Sequence, residues 1–355
     1  MDYTEGNVNA MHLLSAKIKE AALILGYEKC GIIKLSDMDG YGEKLDERID
    51  KIPEAEGFYK SLYRFTNIQN SHPWAKSIVI CVRKYSNYRV PEHLHGMIAK
   101  YYLFDSRTDE KSEDYQDSLK FEKNMHAMGI RAETERKFGL TALRFAALKA
   151  GLGIIRRNNF FYTEAGSWVY LEAWLIDKEL ETKEIPALRP CSDKCNLCIK
   201  ACPSASLSKP YTMSPIACVS CITTFAGRDM PNEKYREQLG NWIYGCDACQ
   251  DVCPMNKNKW EGTKEFPGLD ALSSHITLEQ IVKMDYEFLE NMMQPKFWYI
   301  PKADVWKWKV NAINAMLNNY KEDYIDTIDA ARKDSHEKVR EMAEWAINKI
   351  KIAHT

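Results

Sequence analysis

Nine of the eleven cysteines lie between Cys191 and Cys253, and their spacing sets the chemistry open to this chain. The first run is Cys191-x3-Cys195-x2-Cys198-x3-Cys202-Pro203, and the second is Cys246-x2-Cys249-x3-Cys253-Pro254, with Cys218 and Cys221 between them. Two-residue gaps let neighbouring thiolates close on one iron–sulfur cube. A Cys-Pro after a three-residue gap sends its sulfur to the other cube. This is the two-cluster ferredoxin pattern, slightly stretched. Zinc also takes Cys-x2-Cys pairs, but it leaves the Cys-Pro that ends both runs unexplained. A disulfide framework calls for an oxidising compartment and usually a short chain, whereas this chain has 355 residues. By ferredoxin logic Cys191, Cys195 and Cys198 with Cys253 hold one 4Fe-4S cluster. Cys202, Cys246 and Cys249, with either Cys218 or Cys221, hold the second.

The elements around this stretch must carry the rest of the site. A chain of 355 residues can bury a large core in two or three domains. A net charge of −1 gives no global field toward nucleic acid or anionic membrane, so an RNA partner would need a local basic patch. The longest strongly apolar run, Ser77 to Val82, is far too short to span a bilayer. The amino terminus, with Asp2 and Glu5, lacks the basic and apolar regions of an export signal and has no twin arginine. A cytoplasmic, reducing location is expected.

Met11 to Tyr27 has helical apolar spacing that Gly26 ends, and Cys30 to Leu35 and Ser77 to Arg83 read as strands. Cys30 and Cys81 are expected to be small buried hydrophobes. Residues 40–76, mixed and aromatic, suit a surface excursion. A very polar interruption follows Ile98, and a second helix runs from Tyr115 toward Gly129. The carboxylates Asp105, Asp109, Glu110, Glu113, Asp114 and Asp117 read on composition as a solvated loop, at least five of them having no other role. Leu140, Leu143, Ala146, Ala147 and Ala150 line a helix that stops at Gly151-Leu152-Gly153. The polar turn Arg156-Arg157-Asn158-Asn159 comes next, and a strand runs from Val169 to Asp177. No Gly-Lys-Ser/Thr is present, so this is not a phosphate loop. Beyond the cysteines, Ile276 to Leu289 and Ala303 to Ile350 carry helical stripes of the kind that stack as a small repeat unit. Trp306, Trp308 and Trp345 read as packing residues, with stacking on RNA bases as the sharper alternative.

Leu25-Gly26-Tyr27 to Gly31-Ile32, Ala150-Gly151-Leu152-Gly153, Glu164-Ala165-Gly166-Ser167, Pro210-Tyr211-Thr212 with Cys218-Val219-Ser220, and Gly240 through Cys246 and Cys253 to Asn256 are further stretches with a shared likeness. Together they resemble the epoxyqueuosine reductase family, which is related to the reductive dehalogenases. The tail around Glu344-Trp345-Ala346-Ile347 is similar to the family's terminal helical repeats. The resemblance implies an α+β protein in three parts. An amino-terminal α/β corrinoid-binding domain spans 1–185, a ferredoxin-like double 4Fe-4S domain 186–265, and a helical HEAT-like domain 266–355. It also implies a base-off cobalamin beside two 4Fe-4S clusters, and reduction of epoxyqueuosine in tRNA to queuosine. Cys218 becomes the eighth ligand and Cys221 is spare. By the same resemblance Asp114, in Glu113-Asp114-Tyr115-Gln116, is the proton donor, and Arg157, Asn158, Gly166 and Ser167 contact the cofactor.

The implied partners are tRNA and an external electron donor such as ferredoxin or flavodoxin, for a monomer outside the membrane. Arg156, Arg157, Lys307, Lys309 and Lys349 are candidates for local basicity at the pocket mouth. The sequence departs from the family at Gln116 (His in the family), at Leu143-Arg144 (an acidic–basic pair), at Arg156-Arg157 (Gly-Lys), in an insertion over 106–112, and in the first cysteine gap. Two alternatives stand beside the main reading: a corrinoid and iron–sulfur reductase of another small molecule, as in the dehalogenases, and a non-catalytic electron-transfer or corrinoid-handling protein.

Overall fold

The structure, a computed structural model, describes residues 3–225 and 229–353. It contains two compact units: Met1–Ser86 with Ser106–Cys195 and Pro254–Trp260, and Asn87–Asp105 with Asn196–Cys253 and Glu261–Thr355.

The first unit is built on a four-stranded sheet of order β1-β2-β6-β3, formed by β1 (Lys29–Lys34), β2 (Ser77–Lys84), β3 (Ala132–Glu133) and β6 (Val169–Ile176). Every neighbouring pair is antiparallel. A small separate hairpin pairs β4 (Ile154–Ile155) with β5 (Phe161–Tyr162). Side chains along β2 alternate between two cores. Ile78, Ile80 and Val82 pack with α2 (Tyr41–Lys51) and α4 (Leu143–Lys149). Val79 and Cys81 pack with Ile18 and Ala22 of α1 (Tyr3–Ile24) and with Phe121 and Met125 of α3 (Glu113–Ala127). Helices on both faces explain a continuous apolar run that an antiparallel strand with one wet face would not show. The sheet is antiparallel throughout and the unit mixes helix and strand. Cys30 and Cys81 are fully buried, as expected.

Residues 40–76 are not a surface excursion. Tyr41, Leu45, Ile52, Tyr59, Phe65 and Ile68 all enter the first core, because their apolar positions sit on short helices rather than on one long periodic one. The polar run before α3 is likewise only partly solvated. Asp105 and Asp114 are buried and Asp117 half-buried, while Glu110 and Glu113 face solvent.

The second unit holds the cysteine segments on short helices, α5 (Leu197–Ala201), α6 (Val219–Thr223) and α7 (Ala248–Asp251), with a hairpin of β7 (Leu207–Lys209) and β8 (Thr212–Met213). Behind them lie α8 (Leu278–Lys283), α9 (Trp306–Asn318), α10 (Ile325–Ala331) and α11 (Glu337–Ala353). Every residue of α9 from Trp306 to Met316 is buried, so this helix is the axis of the unit. Trp308 stacks on Tyr244 (centroids 4.9 Å, 10° between planes) and Trp306 on His336 (5.0 Å, 9°). Both indoles are packing residues. Among the described residues no helix is long and apolar enough to cross a membrane.

Candidate active site

The second unit gathers four of the predicted thiols. Cys246 and Cys249 flank the start of α7, Cys218 caps α6, and Cys202 ends α5. Cys249 lies within electrostatic range of Cys202, Cys218 and Cys246, and Cys246 within range of Cys202 and Cys218. Burial pushes the Cys246 and Cys249 thiols well up. Buried thiols of this kind ionise only when a metal takes the place of the proton, and coordination deprotonates them outright. Main-chain N–H groups already point at the sulfurs: Leu207 donates to Cys202 Sγ at 3.4 Å, and Ala248 to Cys246. The set therefore fits an iron–sulfur cluster. Among the described residues no three His, Cys, Asp or Glu side chains converge at the spacing of a single ion. Cys221 hydrogen-bonds Cys218, and the pair splits. The Cys218 thiol falls to about 7, chiefly through that bond, while Cys221 is raised.

Close backbone packing fixes this geometry. Gly245 has φ of +83°, and a Cβ there would sit 2.4 Å from the Tyr102 ring and 2.6 Å from Ala99. Its N–H donates to Thr223 Oγ1 at 2.9 Å. From α9, Asn311 donates to the carbonyls of Thr223 (3.0 Å) and Ile243 (2.9 Å), and Asn314 to that of Arg236 (2.8 Å). Lys307 donates to Thr224 O at 3.1 Å, and burial lowers its ammonium to about 8. Lys309 is buried against Asp334 at 2.8 Å.

In the first unit the segment 191–195 is clamped by the polar turn between β4 and β5. Arg157 donates to the carbonyls of Cys195 (2.7 Å) and Asp193 (3.0 Å), and Arg156 reaches Cys191 Sγ at 3.7 Å. Arg156 and Arg157 are thus committed to the cysteine segment. With Lys307 and Lys309 buried as well, four of the five residues expected to form a basic patch do not form one. The fifth, Lys349, is exposed and lies 3.8 Å from Glu233. These cations read as surface charge in the sequence because nothing there marks their partners.

The remaining predicted cofactor contacts sit beside that turn. Asn158 donates to the Tyr162 hydroxyl at 2.9 Å. Asn256, at the end of the second cysteine motif, accepts from Ser167 N and donates to Ser167 Oγ, both at 2.8 Å. Gly166 (φ +90°) is needed there, since a Cβ would lie 2.6 Å from Asn256 Oδ1. Several buried donors of the first unit lack a protein partner: Arg83 Nε, Ser86 Oγ, Arg156 Nε, Arg157 Nε and Asn159 Nδ2. Orphaned buried donors are uncommon and call for a ligand or water. The chain's polar groups here fit a large, amide-bearing molecule such as a corrinoid.

Asp114 opens α3 behind the Ser112 N-cap, whose Oγ accepts from Tyr115 N at 3.2 Å. Its carboxylate is buried and receives Arg83 Nη1 at 3.0 Å, with Asp117 3.5 Å from the same nitrogen. Arg83 also donates to Leu25 O at 3.0 Å and lies 4.2 Å over the Tyr27 ring. The Tyr27 hydroxyl donates to Glu172 Oε2 at 2.7 Å. Burial raises the Glu172 carboxyl, and burial raises Tyr27 and Tyr170 beside it. Sequence reasoning missed Arg83, Glu172 and Tyr27. The available signal was an arginine and a glutamate inside the two most apolar strands, where a charge is rarely buried unless paired. Gln116, at the position of the family's histidine, turns away to donate to Glu110 O at 2.6 Å.

Residues 191–256 match a family described as "4Fe-4S double cluster binding domain". The chain is 29% identical over 356 residues to the epoxyqueuosine reductase of Staphylococcus aureus, covering 95% of this chain and 89% of that protein. It is 35% identical over 211 residues to that of Listeria monocytogenes, covering 58% and 53%. It is 30% identical over 252 residues to that of Bacillus subtilis, covering 67% and 62%. A solved structure of the Bacillus subtilis enzyme, with its catalytic aspartate loop swung out of the active site, superposes with a TM-score of 0.80 at 23% identity, covering 96% of this chain and 91% of that one. A crystal structure of an epoxyqueuosine reductase with an epoxyqueuosine-modified tRNA-Tyr stem loop gives 0.77 at 22% identity, covering 96% and 91%.

Proposed function

We propose that this chain, a relative of the epoxyqueuosine reductases in sequence and fold, reduces the epoxide of epoxyqueuosine in tRNA to give queuosine. The observation that carries the reading is the joint presence of a double-cluster cysteine segment and a buried carboxylate opening a helix in the same chain. Cys191, Cys195, Cys198 and Cys253 hold one cluster, and Cys202, Cys218, Cys246 and Cys249 the other, leaving Cys221 spare. Arg157, Asn158, Gly166 and Ser167 would hold a base-off cobalamin in an amino-terminal domain. The helices from α9 to α11 form a HEAT-like unit. The three functional parts are 1–185, 186–265 and 266–355.

The overall change takes two electrons and two protons and releases the epoxide oxygen as water. When bound, the clusters and the corrinoid supply the electrons, one at a time, at a reducible cobalt. The chain's own share is acid–base and positional. Asp114 carries a proton toward the departing oxygen, and Arg83 fixes the aspartate between turnovers. The Arg83 pairing favours the charged carboxylate, so Asp114 must leave Arg83 to act as an acid. The mobile aspartate loop of the Bacillus subtilis relative supports such a movement. An external one-electron donor such as ferredoxin or flavodoxin completes the cycle, and the enzyme acts as a cytoplasmic monomer.

The deciding experiment compares the tRNA nucleosides of a deletion strain with the wild type. Accumulated epoxyqueuosine is expected, and an unchanged profile removes tRNA as the substrate.

A further inference from the structure

The polar cluster around Arg83 contains a second carboxyl that the proposed chemistry does not use. Glu172 lies on β6 directly across from Cys81 on β2, inside a strand whose other residues are mostly apolar. It is nearly inaccessible, accepts the Tyr27 hydroxyl at 2.7 Å and hydrogen-bonds Ser118 of α3. Tyr27 has two roles. Its hydroxyl goes to Glu172, and its ring face carries the Arg83 guanidinium at 4.2 Å. Arg83 in turn holds Asp114 at 3.0 Å. One chain of contacts therefore runs from β6 through the turn after α1 and through β2 to the start of α3.

We propose that Glu172 is a positioning residue of the site, fixing Tyr27 so that its ring face aims Arg83 at Asp114. This rests on the reading of Asp114 as the acid of the reaction. Three carboxyls, Asp114, Asp117 and Glu172, share one buried guanidinium. One carboxylate already balances that guanidinium and two lie within 3.5 Å of it, so a third anion in the same pocket would be further in excess. Kept neutral, Glu172 supports Tyr27 without competing for Arg83. Ionised, it draws Arg83 off the aspartate, so Asp114 loses the seat to which it returns between turnovers. The groups facing it are Tyr27 after α1, Cys81 and Arg83 on β2, Asp114 and Ser118 on α3, and Tyr170 on β6. Burial raises the Glu172 carboxyl and outweighs the lowering by Arg83, the only cation among these groups, and by the hydrogen bonds from Tyr27 and Ser118. Ionisation of Glu172 then sets a falling limb on the alkaline side of the turnover profile.

The test uses the full, cluster-loaded chain and an epoxyqueuosine-modified stem loop. Glu172→Ala is expected to lower kcat by about tenfold or more with little change in KM. Glu172→Gln, which still accepts from Tyr27 but cannot ionise, recovers most of that loss and moves the alkaline limb to higher pH. An alanine variant with wild-type kcat, or a glutamine variant with the wild-type limb, overturns the proposal. An infrared difference spectrum of wild type against Glu172→Gln, taken without substrate, should show a protonated-carboxyl band that titrates away as pH rises. If the wild type ignores the stem loop while that band is present, the substrate reading fails and the neutral Glu172 stands. If the band is missing, the positioning role fails whatever the substrate.

Discussion

Two regions of this molecule bury polar side chains to a similar depth and do different things with them. In the first unit, Arg83, Asp114, Asp117, Glu172 and Tyr27 are ionisable groups bonded mainly to one another, with Arg83 Nε left over. In the second, Lys307, Asn311 and Asn314 of α9 reach out to main-chain carbonyls of the segments that carry Cys218, Cys221 and Cys246. A network whose charges can be redistributed among its members can move a proton or release a side chain. Donors tied to carbonyls can only hold a backbone in place. The first region is therefore a candidate for chemistry, and the second is a clamp.

The sharpest way to break that distinction is Asp114→Asn. If the first region is chemical, turnover should fall by about a hundredfold or more while iron content stays unchanged. Activity on the stem loop measures the first and iron analysis the second. Wild-type turnover would reduce the cluster to structure alone. The same substitution leaves Arg83 with Asp117 as its remaining anion, so some loss of thermal stability accompanies it.

On the clamp side the large effect belongs to the thiols. Cys218→Ser should lower iron from about eight to about four atoms per chain, whereas Cys221→Ser should leave it unchanged, as anaerobic iron and sulfide analysis would show. A drop with both would make Cys221 a ligand and displace Cys218 as the sole candidate. Asn311→Leu comes next. It strips the donor from two carbonyls at once and should cost about 1–3 kcal/mol, read as a lower Tm. Its turnover at low temperature should stay near wild type, and a kcat loss there would blur the division between the regions.

The cysteine pattern was legible because ligand chemistry writes itself into local spacing. Cys202, Cys246 and Cys249 come together with Cys218, which cysteine spacing alone left as an alternative to Cys221, and strands β1, β2 and β6 begin and end within a residue or two of where their apolar runs do. The helix from Tyr115 was legible too, whereas Asp114 at its head was singled out only by the family resemblance. Long-range pairing was not. Lys307 and Lys309 look like surface charges alternating with Trp306 and Trp308, and only the burial of α9 on all sides shows otherwise. Glu172 and Arg83 were visible as charges in apolar strands, but each gains meaning from Tyr27, 145 residues from Glu172 in sequence. Over 40–76 only α2 spans enough turns to display a period, and the α-helices that follow it, at Glu56–Lys60 and Ile68–Ser71, are too short to do so.

The smallest effect is the one that isolates the clamp from charge altogether. Burial lowers the Lys307 ammonium to about 8 from 10.5, so the fold disfavours its charged form. Below pH 8 the folded and unfolded states both bind the proton and the penalty is fully present. Between pH 8 and 10.5 the unfolded chain still binds a proton that the folded one has released, so stability rises with pH in that window and levels above it. Lys307→Met, which keeps the length and apolar body of the side chain but drops the ammonium, should be neutral or mildly stabilising near pH 7 and should flatten the rise. Urea denaturation at pH 7 and pH 9.5 reads both outcomes. A marked loss at pH 7 would instead mean that the charged bond to Thr224 O outweighs desolvation, and that α9 holds the cysteine segments through charge rather than through the amides of Asn311 and Asn314.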